Sequence, residues 1–459
     1  MQDLTTGPVT RHLLKTTSFM LVMMVFQTLY FLVDLYWVGR LGKEAVAAVG
    51  LSGNLMFIVL AVSQMLGVGT TTLVSHAAGQ RDRERALLVF NQAQVLSMLV
   101  AVLFFVVAMA LRPLYALGLA ADAETARLAG QYLLWFVPAS ALQFGLVAMG
   151  AALRGTGQFK PGMLVQSATV VLNMVLAPIL VFGWGTGRPL GVAGAALATL
   201  ISVAVGTVWL LTFFRAGQFL VFLPRDWKPN FRMWGRLLSI GLPAGVEFGL
   251  MAAYLFVVYA VSKPFGSESQ AGFGIGMRVV QAGFMPVVAL GFSVAPVAGQ
   301  NFGARLAGRV RDTYTSAVGI AVCTMLALTL VAQLFAPTMV GVFSPDPRVV
   351  AVGAQYLRII CWSFVFSGVL FVNSSMFQAM GNTLPSLATS GIRLVAVSLP
   401  AVLLSRLPGF ELRWIWWLSV ASVTLQLALS LWLLQREFRK RLAFAPVPAA
   451  EPVLEAAAP

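Results

Sequence analysis

The chain has 459 residues, of which 59% are hydrophobic and only 10% charged. A soluble domain carries about 25% charged residues, so the body of this chain is not a soluble enzyme or nucleic-acid-binding domain. The formal charge of +15 resides mostly in short basic blocks between apolar runs, at Arg81 to Arg85, Arg215 to Arg236, Arg305 to Arg311 and Arg436 to Arg441, and is topological.

The first apolar run, 13–38, follows Arg11-His12 in the manner of a signal peptide. It is too long for one, and it leads to Asp34 and Trp37 with no small-residue cleavage site, so it reads as a retained first helix. Runs at 45–76, 87–111, 126–152, 162–183 and 191–214 complete one set of six. A second set follows at 236–262, 269–300, 312–335, 349–378, 384–404 and 414–434. Each can cross a hydrocarbon core of roughly 30 Å as a helix. Strict apolar alternation in ten-residue units is absent, which argues against a β-barrel. The expected fold is therefore all-α and integral to the membrane, with twelve transmembrane helices in two pseudo-symmetric six-helix lobes. The domains are expected at 1–222 and 236–442, with a linker at 223–235 and a disordered tail at 443–459. Phe219 to Leu223 and Trp227 could lie along the membrane interface as a short amphipathic segment.

The two lobes are a sequence repeat. Gly42, Gly50, Gly67 and Gly79 recur as Gly266, Gly274, Gly291 and Gly303, at a constant offset of 224 positions (266 less 42). The offset holds for Arg81 and Arg305, Pro113 and Pro337, Asp122 and Asp346, Gly157 and Gly381, and Pro161 and Pro385. Such repeats suggest a transporter whose halves rock about a central cavity. The connections on the side of the termini carry roughly twice as many Lys and Arg as the others, which places both termini in the cytoplasm of a bacterial inner membrane. Cys323 and Cys361 read as packing residues, not as a disulfide or metal site.

No phosphate-gripping loop is visible: Gly67 to Thr72 and Gly155-Thr156-Gly157 lack its Lys and lie in helical or short-loop contexts. The chain is thus not expected to be an enzyme or to need a cofactor, and uphill transport would draw on an ion gradient or a separate ATPase subunit. A carboxylate within a membrane helix costs about 2.5–3.5 kcal/mol on insertion scales and needs a reason. Asp34 is the outstanding one. It is either an acid snorkelling to the interface beside Trp37 and Arg40, or a proton or Na⁺ site facing the cavity.

The sequence from Val33-Asp34 through Val38-Gly39-Arg40-Leu41-Gly42 to Ala47-Ala48-Val49-Gly50-Leu51 resembles the multidrug and toxic compound extrusion (MATE) transporters. So do Gly299-Gln300-Asn301-Phe302-Gly303-Ala304, Arg154-Gly155-Thr156-Gly157 with Pro161, and Gly241-Leu242-Pro243. The resemblance implies an antiporter exchanging H⁺ or Na⁺ for organic, amphipathic or cationic, compounds. It implies that Asp34 couples the ion together with Asn173 and Thr199. Two departures stand out. Ala177 and Pro178 replace a second acid one turn after Asn173, which favours H⁺ over Na⁺. Phe19 replaces the usual Pro of the first helix, although its repeat partner Pro243 keeps it, so gating by a bend there is not supported.

Glu247 is a candidate substrate or relay carboxylate, or the structural partner of an Arg. Met251 stands where some relatives carry a cation-binding Glu, and the tenth run offers Asn373, Ser374, Ser375 and Gln378 in place of an acid. Arg278 and Arg393 are the obvious partners for Glu247. His76 reads as an interface residue. Gln27, Asn54, Gln64 and Gln281 are further candidates to line a cavity, and Tyr30, Tyr36, Phe57, Tyr254 and Tyr259 to stack a substrate. The expected partners are a small organic molecule and the bilayer, with a monomer as default. Two rivals stand. A flippase for a lipid-linked sugar needs a basic cavity, for which only Arg278 and Arg393 lie within the runs. A passive channel has no tandem filter motif or ring of like charges in support.

Overall fold

In a computed structural model, residues 2–120, 122–184, 187–217 and 219–444 are described, as is the backbone but not the side chain of Asn54. The expected tail lies outside them from residue 445 onward. Among the described residues, twelve helices are long and apolar enough to cross a membrane. They are α1 (Val9–Gly39), α2 (Lys43–Gly79), α3 (Arg83–Leu119), α4 (Ala123–Gly155), α5 (Phe159–Phe182) and α6 (Val192–Ala216) in the first lobe. The second lobe holds α7 (Phe231–Phe265), α8 (Ser267–Gly303), α9 (Ala307–Gly341), α10 (Pro347–Ala379), α11 (Leu384–Leu404) and α12 (Leu412–Arg441). Most helices outrun their apolar runs by one or two turns, because side-chain caps extend them into polar sequence. Asp82, Asp122 and Asp346 each accept a bond from a backbone N–H of the first turn they precede. Apolar stripes such as Leu99, Leu103 and Val106 on α3 and Leu326, Leu330 and Leu334 on α9 stay exposed and suit lipid.

The repeat is legible in the backbone. Arg81 and Arg305 are the two non-glycine residues with positive φ among those described, each at 58°, and they are repeat partners. Gly157 and Gly381, at 77° and 70°, hold the same left-handed position in the α4–α5 and α10–α11 turns. The turn bonds match as well: Gly157 N to Arg154 O and Gln158 N to Leu153 O recur as Gly381 N to Gln378 O and Asn382 N to Phe377 O. In the middle of α10, a 3₁₀ turn at Cys361–Ser363 frees carbonyls that Thr329 and Gln333 of α9 take up. Cys361 is buried in that turn, whereas Cys323 is exposed and does not pack as expected.

The lobes meet on the side of the termini. Gly79 lies against the Gln300 carbonyl and, reciprocally, Gly303 against that of His76, close enough that a Cβ at either would clash. Gly69 meets Leu237 O, Gly241 meets Met65 O and Gly245 meets Ala61 O in the same way. His76, in the last turn of α2, does more than sit at a helix end: its Nε2 lies 2.6 Å from Ala379 O across this seam. The N-terminal segment straps the seam. Gln2 N donates to Thr156 O (2.9 Å) of the first lobe, while Leu4 N donates to Gln300 Oε1 (3.0 Å) and Leu4 O accepts from Asn301 (3.3 Å) of the second. Leu4 is fully buried there. The seam bonds and glycine approaches run from the terminal side, at Gly79 and Gly303, to the middle of α2, where Gly245 meets Ala61.

The connection between lobes corrects the expected amphipathic segment. Phe219 to Leu223 form no helix; Leu220 packs into the first-lobe core, and a 3₁₀ turn at Pro224–Trp227 follows. Two buried amides of α3 hold it. Asn91 Nδ2 donates to Val221 O (3.1 Å), and Asn91 Oδ1 accepts from Leu223 N (3.0 Å) and Trp227 Nε1 (3.1 Å). Gln92 donates to Asp226 O and Lys228 O and accepts from Asn230 N. Asn91→Leu leaves several of these buried groups unsatisfied, at about 1–3 kcal/mol each. A fall in the thermal midpoint of detergent-solubilised protein by several degrees is expected; an unchanged midpoint would show that the clamp is ornamental.

Candidate functional site

Met20, Met23, Met24, Gln27, Tyr30 and Phe31 of α1 recur at helical spacing and line a cavity of about 390 Å³ inside the first lobe. Its other walls come from α2, α4, α5 and α6, with Phe292 of α8 at the lobe junction. Gln27, Tyr30, Gln64, Asn173 and Thr199, all candidates from the sequence, line it. Gln166 Nε2 donates to Gln27 Oε1 at 3.2 Å.

Thr199 organises the polar wall. Its hydroxyl donates back to Ala195 O (3.2 Å), which uses its one proton. Both lone pairs then accept, from Asn173 Nδ2 (3.2 Å) and from the Tyr30 hydroxyl (3.0 Å). Asp34 occupies the next position of the α1 stripe, one turn beyond Tyr30. It lies within electrostatic reach of the Tyr30 and Tyr132 phenols. It makes no hydrogen bond to Asn173 or Thr199, and its Oδ1 is shut away from solvent without any partner. Such an oxygen is satisfied by a proton or a cation. Trp37 and Arg40 do not hold it; Arg40 instead bonds Tyr36 and packs on its ring. Tyr36 and Phe57 are exposed outside the lining.

The second lobe keeps part of this arrangement and drops the acid. Tyr254, the repeat partner of Tyr30, bonds Ser419 Oγ at 3.0 Å as Tyr30 bonds Thr199. Where Asp34 stands in the first lobe, buried Val258 stands in the second. Arg393 lies over the Tyr254 ring at 5.3 Å, and its Nε is buried without a partner. Tyr259 packs edge-on against Phe273. The expected ion pair of Glu247 with Arg278 or Arg393 is not formed among the described residues. Glu247 accepts instead from Ser390 Oγ (3.4 Å), which also takes a bond from Gln426 (3.2 Å). Arg278 and Gln281 are exposed on α8, at helical spacing from Met285, which meets Thr28 of α1. Neither lines the first-lobe cavity. The side chain of Asn54 lies outside what is described.

One cavity residue escaped the sequence reading. Arg154 stands in the sequence only as part of a family motif just past the fourth apolar run, which ends at 152, but α4 continues to Gly155 and the side chain lines the cavity. The only sequence signal was its place directly after an unbroken apolar stretch.

Comparison with known proteins agrees with this architecture. The MatE family matches residues 20–179 and 243–403, one segment in each lobe. A FAD transporter of Shewanella oneidensis is 24% identical over 86% of this chain and 88% of its own. The multidrug export protein MepA of Staphylococcus haemolyticus is 27% identical over 79% of each. A solved structure described as the outward-facing conformation of a multidrug resistance MATE family transporter superposes with a TM-score of 0.88, at 25% identity, covering 96% of this chain and 98% of that one.

Proposed function

The chain belongs to the multidrug and toxic compound extrusion (MatE) family of membrane transporters, and on that premise we propose that it is a secondary antiporter exporting amphipathic organic compounds in exchange for H⁺. The observation that carries the reading is the unpartnered, occluded carboxyl oxygen of Asp34 beside the Tyr30–Thr199–Asn173 cluster. A proton satisfies one orphan oxygen, whereas a bare Na⁺ needs several oxygens converging on it.

In the proposed cycle, the open state takes up a proton at Asp34, neutralisation rearranges Tyr30 and the Thr199 cluster, and cargo is released. The lobes then rock about the glycine seam, with 1–222 and 236–442 as the moving bodies. Cargo and proton must not ride together stably, or exchange would fail. The side of the termini is the cytoplasm of a bacterial inner membrane, by the excess of basic residues there, and one chain suffices. The relatives' names include FAD as well as drugs, which supports a cargo class set by amphipathic character.

The test uses proteoliposomes and charged pyrene derivatives, pyrenebutyrate and 4-(1-pyrenyl)butyltrimethylammonium. Efflux driven by an imposed pH gradient and indifferent to a Na⁺ gradient is expected. Efflux that follows only the Na⁺ gradient would overturn H⁺ coupling.

A further inference from the structure

The two-fold repeat isolates the residues that one lobe needs and the other does not. Arg154 is one of them, for its partner at the same offset is the neutral Gln378. In an α-helix the side chain leans toward the N-terminus of its own helix. Accordingly the Arg154 guanidinium turns back from the membrane surface, along α4, into the first-lobe cavity. Its Nη1 and Nη2 lie beside Gly150 of the same helix and Gly67 of α2, 3.7 and 3.8 Å from where a Cβ would stand. Both positions lack the side chain that would crowd it.

Among the described residues, Arg154 has no ion-pair and no hydrogen-bond partner. The polar groups lining the cavity with it are neutral, Gln64, Gln143, Gln158 and Gln166 among them, and no acid is in the lining. Past the end of its helix the backbone is engaged by the seam and the N-terminal strap: Gly155 O accepts from Gln300 Nε2 (3.0 Å) and Thr156 O from Gln2 N (2.9 Å). A guanidinium with five donors, half-buried in the wall of an apolar cavity and unpaired, is stabilised when an oxyanion enters. Methionines and aromatic rings supply the apolar wall above it.

We propose that Arg154 is the anion-recognising floor of the cargo site, and that the cargo is an amphiphile carrying a carboxylate or phosphate. The anionic group seats on the guanidinium at the closed end, and the apolar body lies along Met20, Met24 and Phe159 toward Asp34. The lining of α1 from Met20 to Phe31 makes this path about 16 Å long, at 1.5 Å per residue. The first lobe then holds an anion receptor at the floor, Arg154, and the proton acceptor near the mouth, Asp34, where the second lobe carries Gln378 and Val258. This assignment rests on the reading of that cavity as the cargo site.

Binding is measured in detergent micelles by pyrene fluorescence, with pyrenebutyrate and its primary amide as a matched pair. Wild type is expected to bind the carboxylate at least about tenfold tighter than the amide, the scale of one charge-assisted bond. Arg154→Gln is expected to bring the ratio of the two dissociation constants to about one. Arg154→Lys keeps part of the preference, and Gly67→Leu, which crowds the guanidinium, reduces it. The ratio is internally controlled, because a folding defect weakens both probes alike. Equal binding of the two probes by wild type, or a preference that survives Arg154→Gln, overturns the proposal. Displacement of pyrenebutyrate by phosphatidylglycerol would assign the site to a lipid headgroup instead of cargo, and overturns it too. Preference in micelles without transport in proteoliposomes strikes the antiport reading and leaves the anion site standing.

Discussion

Asp34→Asn is expected to reduce pH-driven efflux to the level of empty liposomes, a loss of at least about a hundredfold. The amide matches the carboxylate in size, so the space beside the helix is filled as before, but it cannot take up a proton or carry a charge. Stability is expected to hold. The Asp34 Oδ1 has no partner to lose, and replacing a buried, unpaired carboxylate with a neutral group removes a desolvation cost. Elution as a single species with an unchanged or raised thermal midpoint, together with lost efflux, is the expected pair of results. Undiminished efflux would move the coupling site elsewhere, with Glu247 as the next acid to substitute.

The second large effect lies in the seam. Gly79→Leu places a branched side chain where even a Cβ meets the backbone of Gln300, and the obstacle is a helix, not a flexible side-chain end. Gly303 repeats the geometry against His76, so Gly303→Leu serves as an independent copy of the test. Either change forces the lobes apart on the side of the termini and is expected to lower transport more than tenfold. Hydrogen exchange should rise at the ends of α2 and α8 and in residues 2–7, while the halves of α3 and α9 farther from the strap stay protected. Normal transport with unchanged exchange would mean that the close approach is incidental to closure.

Much of the fold was legible in sequence because bilayer crossing demands long apolar runs, and twelve such runs became twelve helices. The repeat was legible through positions whose backbone leaves little choice: Gly157 and Gly381 require left-handed φ, and Gly79 and Gly303 permit contact of helix on helix. Helix ends were not, since apolar runs stop before caps such as Asp82 and Asp122 begin. That shortfall concealed Arg154. The clamp of Asn91 and Gln92 was equally hidden, because a polar pair in an apolar helix does not reveal which distant backbone it will satisfy. For the candidate site, resemblance named Asp34, Asn173 and Thr199, but only the structure shows that Asn173 and Tyr30 converge on Thr199 while Asp34 stands apart without a bond. It also shows why Glu247 differs from Asp34. Ser390 gives Glu247 a donor, and Asp34 Oδ1 has none.

Proton release on cargo binding tests the central claim most directly. A bound cargo that excludes the proton from Asp34 must expel it, so adding pyrenebutyrate to weakly buffered, detergent-solubilised wild type should acidify the medium, as read by a pH-sensitive dye. The release should approach one proton per protein where Asp34 is protonated before addition, and vanish in Asp34→Asn. Release of the same size from Asp34→Asn, or binding by protonated wild type with no release, would contradict the account.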